Sequence, residues 1–155
     1  MTDHPERRDA LVSRIVEQIL HNNARGRRLV AVEGTDAAAA AAFADDAAQA
    51  LRERGQHVTR MSLGSVDEAT LRSDTVEPFR AGDLANGDDV ILLVDGERLL
   101  NAAVIGVWHY TVWTFSDGTL PHGKANFIVD ATDPAFPQEH YYDLCKLPPS
   151  FGERA

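Results

Sequence analysis

Two segments of this chain are apolar at every position: Leu29-Val30-Ala31-Val32 and, more strongly, Val90-Ile91-Leu92-Leu93-Val94. A strand points its side chains alternately to two faces, so such a run needs cover on both. Helices packed on either side of a parallel sheet supply that cover. The intervening sequence agrees. From Asp36 to Arg54, Phe43, Ala47 and Leu51 recur at four-residue spacing, with Asp36 placed to cap the helix start and Gly55 to end it. Ahead of the first strand, Leu11, Val12, Ile15, Val16, Ile19 and Leu20 make one apolar stripe of a helix over Pro5 to His21. Strand–helix–strand alternation predicts an α/β domain: a doubly wound, mostly parallel sheet of about five strands with helices on both faces.

The remaining elements are read on the same grounds. A strand is expected over His57 to Leu63, then a short helix through Leu71, because Ser65 and Glu68 have capping-box spacing. Ser73 to Asp89 is polar, carries Pro78, Gly82 and Gly87, and reads as a surface connection. A short helix around Arg98 to Ile105 should lead to a strand at Trp108 to Phe115, a turn at Ser116 to Gly123 and a last strand at Asn126 to Val129. On an unbroken strand, Tyr110 would share a face with Trp108, and Trp113 with Phe115 on the other. Four prolines follow Asp130, so residues 131–155 are expected as coil or short helical turns packed on a single domain of residues 1–130. There is no internal repeat.

Charge narrows the partners. The 155 residues carry 15 Lys and Arg against 24 Asp and Glu, a net charge of −9. Nucleic acids and anionic membrane surfaces repel such a chain unless its cations cluster. The triplet Arg25, Arg27 and Arg28 fits a helix end better than a binding patch. One cysteine, Cys145, leaves no intramolecular disulfide or cysteine-based zinc cage. The six histidines show no metal-type spacing, and no serine sits in a Gly-x-Ser-x-Gly turn. With no signal-type or membrane-length apolar stretch, a cytoplasmic protein is expected.

In an open α/β sheet, ligands sit beyond the carboxyl ends of the strands, which directs attention to Glu33–Ala42, Leu63–Val66 and Asp95–Arg98. A phosphate-binding loop at the first of these has Gly, four residues, then Gly-Lys-Ser/Thr. Here Gly34 supplies the first glycine, and the other three positions fall on Ala39, Ala40 and Ala41. In that context Arg28 to Leu63, the segment ending Val94-Asp95-Gly96, and Val129-Asp130-Ala131-Thr132-Asp133-Pro134 resemble a uridine kinase-like P-loop protein of the phosphoribulokinase/uridine kinase group. The resemblance implies a P-loop NTPase-like fold, with Gly34, Thr35, Asp36, Ala39, Ala40 and Ala41 in the phosphate loop. It also implies Asp95 as a remnant Mg²⁺-associated carboxylate. The departures run one way. The loop has no Lys and no hydroxyl at its diagnostic places, and the family's acidic acceptor motif reads Leu63-Gly64-Ser65-Val66. The arginine-bearing lid is reduced to Ser116 to Gly123.

Phosphoryl transfer rests on positioning and charge neutralisation, and each lost electrostatic donor costs about 3 kcal/mol. With lysine, hydroxyl, base and lid all gone, the expected protein is non-catalytic, binds no cofactor, and acts through self-association or a protein partner. Ala37 to Ala42 should then be helical, since Ala is the strongest helix former. Two other readings remain open. One is a divergent kinase holding Mg-ATP through Asp95 with Glu33 or Asp36. The other is a binder of phosphate-free nucleosides near Gly64 and Ser65. The aromatic residues Trp108, Tyr110, Trp113 and Phe115 are either core or, with the lid lost, an open interface. Phe136, Tyr141, Tyr142 and Phe151 are candidates to cover them.

Overall fold

The computed structural model describes residues 5–100, 105–121, 125–133 and 137–140. The apolar runs do become central strands. β1 (Arg27–Gly34) lies between β3 (Val90–Glu97) and β4 (Tyr110–Phe115), parallel to both. β2 (His57–Ser65) adds in parallel at the β3 edge. β5 (Phe127–Asp130) adds in parallel beside β4, and a two-residue β6 (Gln138–Glu139) pairs antiparallel with β5. The sheet order is β2-β3-β1-β4-β5-β6. This is the doubly wound α/β architecture, with one strand more than expected. The sixth falls in the tail read as coil, where two residues suffice to close the β5 edge.

The sheet has two covered faces. α1 (Pro5–Asn22) and α2 (Ala37–Glu53) lie on one. There Ile15, Ile19, Ala44, Ala47 and Leu51 pack against Val30, Val32, Ile91, Leu93, Tyr110 and Val112. The other face buries Leu29, Ala31, Leu92 and Val94 under Leu71, Val76, Phe79, Leu99 and Leu100. Burying each large apolar side chain stabilises the fold by about 1.5–3 kcal/mol, which explains why these two layers, rather than the Ala content, define it. Among the described residues no helix is long and apolar enough to cross a membrane.

The segment read as a surface connection is partly structural. α3 (Glu68–Leu71), a π-helical turn (Arg72–Val76) and α4 (Glu77–Arg80) run on without a break and bury Thr75, Val76 and Phe79. Its cap is Asp67, whose carboxylate accepts from the Thr70 N–H at 2.7 Å, and not Ser65, which remains in β2. The rest, up to Asp89, is loop held by Arg27. That guanidinium donates to the carbonyls of Phe79 (2.5 Å), Gly87 (2.7 Å) and Asp83 (2.8 Å), and stacks 4.4 Å from the Phe79 ring centroid. Arg28, 1% exposed, turns to the end of α1 and donates to the carbonyls of Asn23, Ala24 and Gly26. The expected helix at Arg98 is absent through Leu100, since Arg98 has φ 60°; residues 101–104 lie outside the described residues.

The aromatic expectation is corrected too. β4 begins at Tyr110, so Trp108 is free of its alternation and joins Trp113 and Phe115 on the α3/α4 face, while Tyr110 packs under α1 and α2. All four are buried within the chain, at most 8% exposed, so none forms an open aromatic face. The tail aromatics Phe136, Tyr141, Tyr142 and Phe151 lie outside the described residues, as does Cys145.

Candidate functional site

The connection from β1 to α2 consists of Thr35 and Asp36 alone. Gly34 is the last residue of β1, opposite Thr114 of β4. A Cβ on Gly34 would stand 2.1 Å from Thr114 Oγ1 and 2.7 Å from the Thr114 carbonyl oxygen. Glycine here allows close approach of two strands. Thr35 ties the turn to the end of β4: its N–H donates to the Thr114 carbonyl (3.1 Å), and its Oγ1 accepts from the Ser116 N–H (3.2 Å).

α2 starts at Ala37, so the alanines are helical from the first. Asp36 has the extended backbone of an N-cap (φ −122°, ψ 114°), and its Oδ1 accepts from Ala38 N (2.9 Å) and Ala39 N (3.1 Å). The next amide, Ala40 N, already bonds to the Asp36 carbonyl at 3.0 Å. A helix N-terminus attracts anions through just these unpaired N–H groups. Here the chain's own carboxylate takes two of them, those of Ala38 and Ala39. Ala40, at the lysine position of a phosphate loop, is 2% exposed and part of the core; Ala39 is exposed, and Ala41 is half-buried.

Asp95 lies opposite Val32 of β1 and Ser62 of β2, on the α2 face of the sheet, and is 6% exposed. Its Oδ1 accepts from Ser62 Oγ at 2.5 Å and pairs with Arg60 Nη2 at 2.5 Å. Arg60 reaches over from β2 to bridge three elements. Nη2 also donates to the Ala41 carbonyl (3.1 Å), and Nη1 to the Met61 carbonyl (2.5 Å). Its Nε stands 3.1 Å from Asp45 Oδ1, close enough for an ion pair. The N–H direction misses, however, and Nε has no hydrogen-bond partner among the described residues. The sequence reading did not single out Arg60. Its available signal was the alternation Val58, Arg60, Ser62, which puts two polar residues on the helix-covered face of a strand.

Glu33 follows Val32 and therefore faces the opposite side of the sheet from Asp95. Its carboxylate accepts from three successive amides: Arg98 N (2.8 Å), Leu99 N and Leu100 N (2.9 Å each). The positive φ of Arg98 turns those amides into one concave nest. Glu33, Asp36 and Asp95 thus sit in three separate environments, each engaged with protein donors. Among the described residues no three His, Cys, Asp or Glu side chains converge as a metal site would need. Gly64 and Ser65 belong to β2 beyond a register shift, with Ser65 opposite Glu97, and the Gly64 carbonyl lies 3.0 Å from where a Cβ on Gly96 would stand. Of the histidines, His109 accepts the Leu29 N–H at Nδ1 (3.0 Å), and burial, aided by the nearby Arg80 and Arg28 charges, holds its pKa below the usual histidine value.

No family model matches the chain, and no curated protein does. Among solved structures it is similar to the crystal structure of a "putative fructose transport system kinase" from Silicibacter sp. TM1040. The two share 17% sequence identity at a TM-score of 0.49, over 79% of this chain and 76% of that one.

Proposed function

We propose that this chain is a non-catalytic binding protein on a kinase-derived scaffold, acting in the cytoplasm through contacts with itself or another protein and carrying no nucleotide cofactor. The observation that carries the reading is the state of the β1–α2 turn. Two residues join strand and helix, the Ala38 and Ala39 amides are capped by Asp36, and the place of a phosphate-loop lysine is a buried methyl group.

A bound triphosphate would have to displace the Asp36 carboxylate and then sit close to it, with no lysine to offset either charge. The kinase reading needs Asp95 available for Mg²⁺. Its Oδ1 is engaged by a guanidinium and a hydroxyl, and a cation arriving there would meet Arg60 at 2.5 Å from the same atom. Glu33 lies across the sheet and Asp36 at the helix cap, so neither geometry favours a shared ion. The acidic net charge supports a protein partner over a polyanion.

The test is titration with Mg-ATP, followed by calorimetry and thermal denaturation. A nucleotide at one hundred times its Kd stabilises a protein by about 2.7 kcal/mol. The expected result is no heat of binding and no shift in Tm at millimolar Mg-ATP. A saturable shift, together with phosphate transfer to a nucleoside that Asp95→Ala abolishes, would overturn the reading.

A further inference from the structure

We infer that the outer edge of β2 is a self-association surface, pairing antiparallel with β2 of a second copy about a two-fold axis at Met61. The inference rests on the proposed action through contacts with itself or another protein, and selects the first. The two ends of the sheet differ. At one, the two-residue β6 closes the β5 edge. At the other, β2 has nine residues and pairs with β3 alone among the described residues. Exposed edges are normally kept short or carry proline or lysine, and β2 has neither residue.

The edge has backbone groups and apolar surface to offer. Two β2 carbonyls accept from guanidinium groups, Val58 from Arg52 (3.0 Å) and Met61 from Arg60 (2.5 Å), and no other side chain among the described residues bonds to the β2 backbone. A carbonyl oxygen keeps a second lone pair, so these contacts do not close the edge. Val58 packs against the core layer under α2, and Met61 and Leu63 against the opposite layer, yet all three are only half-buried. A strand added beside β2 would cover them.

Charge and symmetry choose the occupant. At a net charge of −9, two copies repel over most of their surface. No carboxylate occurs from Arg54 to Val66, and Arg60, the one arginine of β2, is already paired with Asp95. A two-fold axis normal to the sheet joins the two sheets into one and sets residues of one face against residues of the same face. β2 leaves the β3 register after Ser62, and Gly64 has φ 64°, so the regular run ends at Leu63. Centred on Met61, Thr59 meets Leu63, Arg60 meets Ser62, and Met61 meets itself. A centre at Arg60 would oppose two guanidinium groups, which is unfavourable. A centre at Thr59 would leave Leu63 opposite Gly55, outside the strand.

Sedimentation velocity on the full chain tests this, at about 0.15 M salt to screen the net charge and from about 10 μM to 1 mM protein. The sedimentation coefficient should rise with concentration to that of a dimer. Met61→Lys sets two cations across the axis and Met61→Glu two anions, so each alone should stay monomeric, while their equimolar mixture should dimerise again. Circular dichroism checks that each variant is folded. Where a Met61 variant is not, Thr59→Lys, which would face Leu63, should weaken association about tenfold. A monomer throughout the range, undiminished dimerisation in folded Met61→Lys or Thr59→Lys, or a mixture that stays monomeric would each overturn the pairing. Mg-ATP is titrated separately: a dimer that binds nucleotide would strike the non-catalytic reading alone, and a monomer that binds none would strike the pairing alone.

Discussion

Replacing Gly34 by alanine separates two accounts of the β1–α2 turn, because a phosphate-loop glycine and a packing glycine fail differently. The added methyl would stand 2.1 Å from Thr114 Oγ1 and 2.7 Å from the Thr114 carbonyl oxygen, against 3.4–4 Å for ordinary contact. The hydroxyl can turn away only to another χ1 rotamer, and the carbonyl belongs to the backbone of a central strand paired with β1. β1 must therefore move from β4. Overpacking of this kind costs about 1–3 kcal/mol, and the backbone clash places Gly34→Ala at the upper end, about 2–3 kcal/mol. For a chain of this length that is a fall in Tm of roughly 4–12 °C. Thr114→Ala removes the Oγ1 clash but leaves the carbonyl, so the double variant should recover part of the loss, with a coupling of about 1 kcal/mol. Urea denaturation followed by circular dichroism, without nucleotide, measures all four proteins. A Gly34→Ala loss below about 0.5 kcal/mol, or strict additivity with Thr114→Ala, would refute the packing argument.

Other outcomes follow from the same geometry. Asp36→Ala should cost about 1 kcal/mol and Asp36→Ser much less, because serine still caps the Ala38 and Ala39 amides; equal losses in thermal denaturation would contradict the cap. Arg60→Met leaves the Asp95 carboxylate buried without its cation and should cost about 3 kcal/mol in urea denaturation. Arg60→Met with Asp95→Leu should recover most of that, and a further loss would count against the pairing. Because the folded pKa of His109 is depressed, the unfolded chain takes up its proton first. Stability is then fully present above about pH 6.5 and declines as pH falls through that value. A His109→Gln variant should show a flatter denaturation midpoint from pH 7.5 to 5, and an unchanged slope would refute the assignment.

The architecture was legible where burial leaves a pattern. Val90 to Val94 could be nothing but a strand covered on both faces, and the stripe of α1 admits one packing side. The misread stretch, Ser73 to Asp89, hides its structure because only Thr75, Val76 and Phe79 turn inward from a mostly polar run, and a π turn breaks the 3.6-residue rhythm by which helices are recognised. Ser65 and Asp67 are both good caps, and sequence alone offers no means of choosing between them. Trp108 was assigned to the wrong face because alternation fixes a side only within the strand, which starts two residues later. At the candidate site, the helical state of Ala37 to Ala42 followed from propensity, and Asp36 was placed as its cap. The partners of Glu33 and Asp95 were not legible, since they come from Arg98 to Leu100 and from Arg60, whose approach depends on sheet order.

Arg27 has a bearing on how the native state opens. The stretch from Ala81 to Asp89 contributes only the partly buried Ala85 to the core, and one guanidinium collects the carbonyls of Phe79 just before it and of Asp83 and Gly87 within it, while Asp89 at its end accepts from the Gly26 N–H. The attachments of Asp83 and Gly87 share one post and are released together, so the residues between them should behave as a unit in hydrogen exchange. The amides from Asp83 to Gly87 would show one common protection factor, and trimming Arg27 to methionine would expose them to a protease while the sheet beneath stayed intact.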